Sequence, residues 1–88
     1  MKKVEGFYLK EVADEYVLVP HGKKTEEVEE VYTLSETAAF IYEQIEDGCT
    51  IVELIQKVSE AYQVSEEMVA EDVQEVLRFM ITKGIVAH

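Results

Sequence analysis

The residues of this chain that could do chemistry are few, and their spacing argues against a catalytic or metal centre. Cys49 is the only cysteine, and His21 and His88 are the only histidines. A nucleophilic cysteine needs a base beside it, and a zinc site needs several Cys or His ligands. Cys49 directly precedes a helix-capping sequence, so a structural role is the better interpretation. We therefore predict no catalytic residue and no metal site.

Two further patterns have only superficial chemical interest. The segment HGKKT, residues 21–25, resembles the end of a phosphate-binding loop, but that loop needs a glycine where Val17 stands. Adjacent carboxylates that could weakly attract cations occur at Glu26/Glu27, Glu29/Glu30 and Glu66/Glu67. A solvated surface explains such pairs better than a cation site does. We predict that the protein has no cofactor and is not an enzyme.

Length and composition indicate one small soluble domain. The 88 residues suffice for a single domain, predicted over 1–88, with 48% hydrophobic residues. A single cysteine cannot form an internal disulfide, which favours a cytoplasmic location. No apolar run approaches the roughly 18 residues that span a bilayer. The N-terminus lacks the apolar core of a signal peptide, because Glu5, Lys10 and Glu11 interrupt it.

The charge is strongly negative and unevenly distributed. Nineteen acidic residues stand against eight basic ones. Residues 35–88 hold eleven of the acids but only Lys57, Arg78 and Lys83 as cations, a net charge of −8. Contacts to phosphate supply most non-specific affinity for DNA, and this half of the chain would repel phosphate. We predict no nucleic-acid partner and no membrane partner.

Alternation of apolar residues in the first third predicts strands. They are expected at Phe7 to Val12, Tyr16 to Val19 and Val28 to Leu34. A tight turn at 13–15 joins the first two, and Pro20 ends the second because it cannot donate to a sheet ladder. The polar segment 21–27 is predicted to be a loop. Residues 26–30 are also compatible with a helical turn, so the start of the third strand stays open.

Three amphipathic helices are predicted after the strands. The first begins with Ser35 as N-cap and ends at Gly48, the second opens with a Thr50–Glu53 capping box, and the third runs from Ser65 to Gly84. Their predicted apolar stripes are Ala38, Ile41, Tyr42 and Ile45; Ile51, Leu54, Ile55, Val58 and Tyr62; and Val69, Val73, Val76, Leu77 and Met80. Ile85 and Val86 are expected to cover an open edge of the core. The predicted fold is α+β and winged-helix-like, a three-stranded antiparallel sheet followed by three helices.

A second stripe on the third helix is not explained by the core alone. It consists of Met68, Asp72, Glu75, Phe79 and then Thr82 or Lys83, about one position around from the apolar stripe. Phe79 is either a residue at the border of the core or part of a groove that faces a partner. The pattern leaves both interpretations open.

The helical half resembles the PqqD family, small proteins first known from pyrroloquinoline quinone biosynthesis. The matching segments are VYTLSETAAFIY (31–42), DGCTIVELI (47–55), AYQVS (61–65) and AEDVQEVLRFMITKGIV (70–86). They cover more than half of the chain in the order and spacing of the family. The resemblance implies a peptide chaperone, called a RiPP recognition element, which acts on ribosomally made, post-translationally modified peptides.

The resemblance also implies partners and a site. Such proteins hold the leader part of a precursor peptide and present it to a modifying enzyme, often a radical S-adenosylmethionine (SAM) enzyme. The leader adds as a strand to the third strand, in a groove walled by the third helix. Carried over to this chain, the edge consists of Glu29, Glu30, Val31, Tyr32, Thr33 and Leu34, and the wall of Asp72, Glu75, Val76, Phe79 and Lys83. Acidic rims with an aromatic floor suit a leader that carries apolar anchors and some basic residues.

Alternatives to a peptide chaperone remain open at the level of sequence. A winged-helix DNA-binding regulator fits the shape, but the charge of −8 over residues 35–88 counts against it. A protein–protein adaptor without a peptide client would use the same groove for a strand of its partner. An exposed strand edge is a liability unless it is covered or used, and it makes both a monomer and a strand-exchanged dimer possible.

Overall fold

The computed structural model describes residues 1–88 and contains the sheet and the three helices expected from the sequence. It also contains a short helix between the second and third strands of that sheet, and a small two-stranded sheet that pairs the two ends of the chain. The elements are, in chain order, β1 (Lys2–Lys3), β2 (Phe7–Val12), β3 (Glu15–Pro20), α1 (Lys24–Glu27), β4 (Tyr32–Leu34), α2 (Glu36–Gln44), α3 (Ile51–Tyr62), α4 (Glu66–Thr82) and β5 (Val86–Ala87). Strands β2, β3 and β4 form one antiparallel sheet in that order. The prediction of an α+β fold with a three-stranded antiparallel sheet and following helices is confirmed.

The β2–β3 hairpin closes through a tighter turn than the sequence suggested. Ala13 and Asp14 have φ of 49° and 68°, and Glu15 already pairs with Val12. Two successive residues with positive φ are what a two-residue hairpin turn requires, because its twist then matches that of the strands. The predicted three-residue turn was therefore one residue too long, and β3 begins at Glu15 instead of Tyr16.

The third strand of the sheet is shorter than predicted. β4 covers only Tyr32–Leu34, paired so that Leu18 lies opposite Tyr32. Continuing that register would place Glu30 opposite Pro20, which has no N–H to donate to the ladder. The prediction of a strand from Val28 was wrong for 28–31. The prediction of a loop over 21–27 was also partly wrong, because Lys24–Glu27 forms the short helix α1.

The start of each long helix was predicted correctly, because each start rests on a local capping interaction. Ser35 Oγ accepts a hydrogen bond from the Ala38 amide at 3.1 Å, and Ser65 Oγ accepts one from Met68 at 3.3 Å. At the start of α3, Thr50 and Glu53 form the reciprocal capping box. These side chains satisfy amides that a helix N-terminus otherwise leaves without a partner.

The end of α2 was predicted less well, because packing decides it. α2 ends at Gln44 and not at Gly48, since Ile45 turns to an extended conformation and buries its side chain to 3% exposure. Gly48 has φ of 85° in the following turn, where its amide donates to the Met1 carbonyl. The end of α4 agrees with the prediction, since the helix ends at Thr82, with Lys83 as its C-cap and Gly84 beyond it.

The core lies between the inner side of the sheet and the three long helices. It joins Leu18, Tyr32 and Leu34 of the sheet to helix side chains, and no polar or charged residue is buried in it. Ile85 and Val86 are 0% and 2% exposed, so they complete the core as predicted. They are held by the pairing of β5 with β1, a two-stranded sheet that the sequence did not reveal. No helix is both long and apolar enough to cross a membrane.

Candidate functional site

A groove runs between the open edge of the sheet and helix α4. β4 is the last strand of its sheet, so one of its two edges has no strand beside it. The groove next to this strand has a volume of about 390 Å³. Its lining residues come from β4, the start of α2 and the middle of α4: Thr33, Leu34, Ser35, Ala38, Glu75, Val76 and Phe79. The site therefore combines unpaired strand backbone with a partly apolar wall.

Phe79 is held on one side and open on the other. Its ring meets the Tyr32 ring edge to face, with centroids 6.1 Å apart and an angle of 88° between the planes. Tyr32 is only 9% exposed, whereas Phe79 remains 40% exposed. Aromatic pairs in this geometry attract each other beyond the area that they bury. Phe79 thus lies at the border of the core and also lines the groove.

The structure brings together about half of the residues that the sequence placed in this site. Thr33, Leu34, Glu75, Val76 and Phe79 line the groove, and Tyr32 supports it from below through the ring of Phe79. These positions join β4 to α4 as expected.

The other predicted site residues do not line the groove. Glu29, Glu30 and Val31 are exposed and precede β4, outside the sheet ladder. Asp72 is exposed one turn of α4 before Glu75, and Lys83 is exposed at the C-cap of α4. These residues lie near the groove but do not line it.

Sequence reasoning missed Ser35 and Ala38 as groove residues. Both belong to the chain reversal from β4 into α2, where Ser35 caps the helix and Ala38 is 7% exposed. A larger side chain at position 38 would fill the groove against Val76 and Phe79. The signal in the sequence was the small residue in the first turn of an otherwise bulky stripe.

A second, acidic cavity lies on the β3 side of β4, across the strand from its open edge. It has a volume of about 560 Å³ and shares Thr33, Leu34 and Ser35 with the groove. Its remaining lining residues are Glu11, Asp14, Glu15, Tyr16 and Glu36. We call this region the acidic pocket. It lies between the β2–β3 turn and the N-terminus of α2.

The negative charge of the acidic pocket affects the pKa of Tyr16. The carboxylate of Glu11, followed by burial and then by Glu36 and Glu43, raises the pKa of the Tyr16 hydroxyl above its ordinary value. Negative charge disfavours a phenolate, so the shift reports a negative potential at this place. None of the pocket carboxylates has an ion-pair partner, since the one salt bridge of the chain joins Lys24 and Glu27 elsewhere.

The groove offers binding contacts, and the candidate nucleophile of the chain lies elsewhere. Cys49 is buried beside the N-terminus, where the Met1 amino group donates to its carbonyl at 3.0 Å. No cluster of three or more His, Cys, Asp or Glu side chains is arranged to hold a metal ion. The groove presents backbone hydrogen-bonding groups on β4, an aromatic wall and a carboxylate rim. Such a surface fits an extended chain with alternating side-chain pockets.

One solved structure shares this fold. It is described as TbiB1 in complex with the TbiA(beta) leader peptide, and it aligns over 100% of both chains with a TM-score of 0.72 and 21% identity. At that identity the likeness shows the fold alone. None of the curated protein sequences compared with this chain matches it.

A model of a known protein family matches most of the chain. The model of coenzyme PQQ synthesis protein D (PqqD) matches residues 15–86. That range contains β3, β4 and all three long helices, and hence the whole groove between β4 and α4. Because the match extends over far more than half of the 88 residues, this chain belongs to the PqqD family.

Proposed function

We propose that this protein is a RiPP recognition element, a non-catalytic chaperone for the leader of a ribosomally made precursor peptide. The observation that carries the proposal is the groove between the open edge of β4 and helix α4, with Phe79 half-exposed in its wall. Membership of the PqqD family supports it. The structure with the same fold that was solved with a leader peptide points in the same direction.

Binding by strand addition follows from the chemistry of the groove. The leader would align along β4 and satisfy the backbone groups that face water there, but each such bond contributes only about 0.5–1.5 kcal/mol net. A disordered leader loses conformational entropy when it docks. Side-chain contacts must supply the surplus, and Phe79 is the large aromatic side chain that lines the groove. The pocket beside Phe79 therefore determines which leaders bind.

The partner enzyme is the second part of the proposal. A chain that only holds a leader needs an enzyme that modifies the rest of the precursor, and a radical SAM enzyme is the class that we propose. The test is modification of a precursor peptide by a candidate radical SAM enzyme, measured with and without this protein. Product should form rapidly with the protein present and slowly without it. Equal rates with and without it would contradict the presentation role.

The groove itself is tested by amide chemical shifts during a titration with the precursor peptide. Shifts should concentrate at 31–34 and 72–83, since these segments contain the groove residues Thr33, Leu34, Glu75, Val76 and Phe79. Helix α3 around Leu54 and Val58 is the internal control, because both side chains are buried in the core. Shifts confined to α3, with 31–34 and 72–83 silent, would contradict the assignment of the groove.

A further inference from the structure

We infer that the peptide recognised by this groove carries two apolar side chains two positions apart, and that the residue between them exchanges backbone hydrogen bonds with Thr33. This inference rests on the proposed function and specifies the pattern of side chains in its ligand. The register of the sheet determines which backbone groups of β4 face the open edge, and these groups determine how a peptide strand aligns there.

The β2–β3 hairpin sets the alternation of backbone hydrogen bonds across the sheet. In a two-residue hairpin the residues that flank the turn, here Val12 and Glu15, exchange both backbone hydrogen bonds. Every second pair along the strands does the same, and the His21 amide donates to the Gly6 carbonyl at 2.8 Å in that alternation. The intervening residues of β3, such as Leu18, therefore direct their backbone groups toward β4.

Thr33 is the residue of β4 whose backbone faces the open edge. Its neighbours Tyr32 and Leu34 lie opposite the β3 residues that face β4, so both use their backbone groups within the sheet. Thr33 lies between them, opposite Val17, in a pair without mutual hydrogen bonds. None of the backbone hydrogen bonds outside the helices and strands involves Thr33. Its N–H and C=O are therefore available to an added strand.

The directions of the peptide side chains follow from this register. Successive side chains of a strand point to opposite faces, and residues that lie opposite each other share a face. The side chain of Thr33 is exposed, whereas those of Tyr32 and Leu34 are buried on the core face of the sheet. The peptide residue opposite Thr33 therefore points away from the core. The residues before and after it point toward the groove.

The groove is largely apolar where these two side chains enter it. Antiparallel pairing continues the pattern of the sheet and is the more stable kind, so the later residue lies beside Tyr32 and the earlier one beside Leu34. The later side chain meets Phe79, whose ring contacts Tyr32. The earlier one lies where the chain turns into α2, at Ala38, and the one charged lining residue is Glu75. Apolar side chains suit both places, because a buried polar one needs a hydrogen-bond partner.

The first experiment identifies binders and maps the hydrogen bonds of their backbone. A random library of linear peptides displayed on phage is enriched on the full chain, and the binders that lose affinity for Phe79→Ala are synthesised. We expect them to share two apolar residues with one variable residue between them. N-methylation of the amide of that central residue should weaken binding about tenfold or more, because it removes a donor and leaves the Thr33 carbonyl unpaired. The same change at either apolar residue, whose N–H points away from β4, should weaken it by less than about threefold.

The second experiment is a double-mutant cycle that tests the direction of the peptide. Phe79→Ala is combined with alanine at each apolar position of the best peptide, and each alanine peptide alone should bind roughly tenfold or more weakly. The loss caused by Phe79→Ala should shrink when the later apolar residue is already alanine, since these two side chains are in contact. It should persist when the earlier one is alanine. Val52→Ala, an exposed apolar position outside the groove, is the matched control and should leave every affinity unchanged.

The outcomes separate this inference from the proposed function. Two apolar residues two positions apart, with the sensitive amide at the residue between them, support the pattern. Binders that depend on Phe79 but lack this spacing, or whose sensitive amides are those of the apolar residues, overturn the inference and leave the proposed function standing. Coupling of Phe79 with the earlier apolar residue overturns the inferred direction. Binders all indifferent to Phe79→Ala, or no binders, contradict both.

Discussion

Two consecutive residues of helix α4, Phe79 and Met80, differ sharply in exposure to solvent. Met80 is 0% exposed among the core side chains, whereas Phe79 is 40% exposed in the wall of the groove. Successive positions on a helix point about 100° apart, so one side of α4 can belong to the core while the next faces a partner. Under the proposed function, the helix thus contributes to stability through one face and to recognition through the adjoining one.

The two faces also differ in charge. The inner face of α4 consists of the apolar residues Val73, Leu77 and Met80. The side next to the groove begins with Asp72 and Glu75 and ends at Phe79, and no ion pair neutralises these carboxylates. Burial excludes unpaired charge from the first face, but solvent tolerates it on the second. Changes on the two faces should therefore affect different measurements.

The largest effect is expected from Met80→Ala. Removal of a fully buried side chain loses its transfer free energy and leaves a cavity, at a cost of about 2–5 kcal/mol in the free energy of unfolding. Urea denaturation of both proteins gives the difference. The affinity for the leader of the molecules that remain folded should stay close to that of the parent. A loss of stability under about 1 kcal/mol would show that the core is not packed as described.

Phe79→Ala should have the second largest effect, and it should be on binding. Loss of the aromatic wall is expected to weaken leader binding by roughly 1–3 kcal/mol, the range of a residue that dominates an interface. The free energy of unfolding should fall less than for Met80→Ala, because Phe79 is already partly in water. Calorimetric titration with the precursor measures the affinity.

The matched control for Phe79→Ala is Val52→Ala. Val52 is an apolar side chain on α3 that is 56% exposed and lies outside the groove. Its replacement should leave the affinity unchanged. Equal weakening by both variants would remove the distinction between the faces of α4.

A smaller effect is expected from a change at the N-terminus of α4, which belongs neither to the core face nor to the groove face. Ser65→Ala removes the side chain that accepts from the Met68 amide at the start of α4. Loss of an N-cap of this kind costs about 1 kcal/mol in the free energy of unfolding. Thermal unfolding should show a Tm lower by several degrees, at the size expected for a domain of this length. An altered leader affinity would mean that the N-terminus of α4 takes part in recognition.

Duplex DNA should bind weakly at most. The three cations of residues 35–88 stand against eleven acids, so phosphate contacts cannot accumulate on the helices. Fluorescence polarisation at low salt is the most sensitive test, because screening is then smallest. Affinity tighter than about micromolar with a steep dependence on salt would contradict the role that we assign to the acidic side of α4.

The smallest effect, none, is expected from chelator and reductant. The core contains only hydrophobic side chains, and Cys49 has no second cysteine with which to pair. Thermal unfolding with and without each reagent should give the same Tm. A marked decrease with chelator would reveal a metal that stabilises the fold, since binding to the native state raises stability.

The secondary-structure predictions that proved correct rest on local signals in the sequence. Ser35, Thr50 with Glu53, and Ser65 marked helix starts because a cap is an interaction between residues three apart. The apolar stripes located the core of α4, where Val73, Leu77 and Met80 are buried. These features depend on neighbours along the chain, and so they can be read from it.

The errors occurred where distant parts of the chain meet. The length of β4 depends on its register against Pro20. The end of α2 depends on the burial of Ile45, and the β1–β5 pairing joins the two ends of the chain. No local pattern encodes such contacts, because each is decided by packing or pairing across many residues.

The sequence by itself determined the fold class, the helix starts, the family resemblance and the excess of negative charge. It also indicated Phe79 and Glu75 as candidates, since helical periodicity sets them apart from the core stripe. Only the tertiary structure decided that Ser35 and Ala38 complete the groove, that Glu29 to Val31 lie outside the sheet ladder, and that an acidic pocket lies across β4 from the groove. Groove residues come from elements far apart in the chain, and their meeting depends on how the helices pack against the sheet.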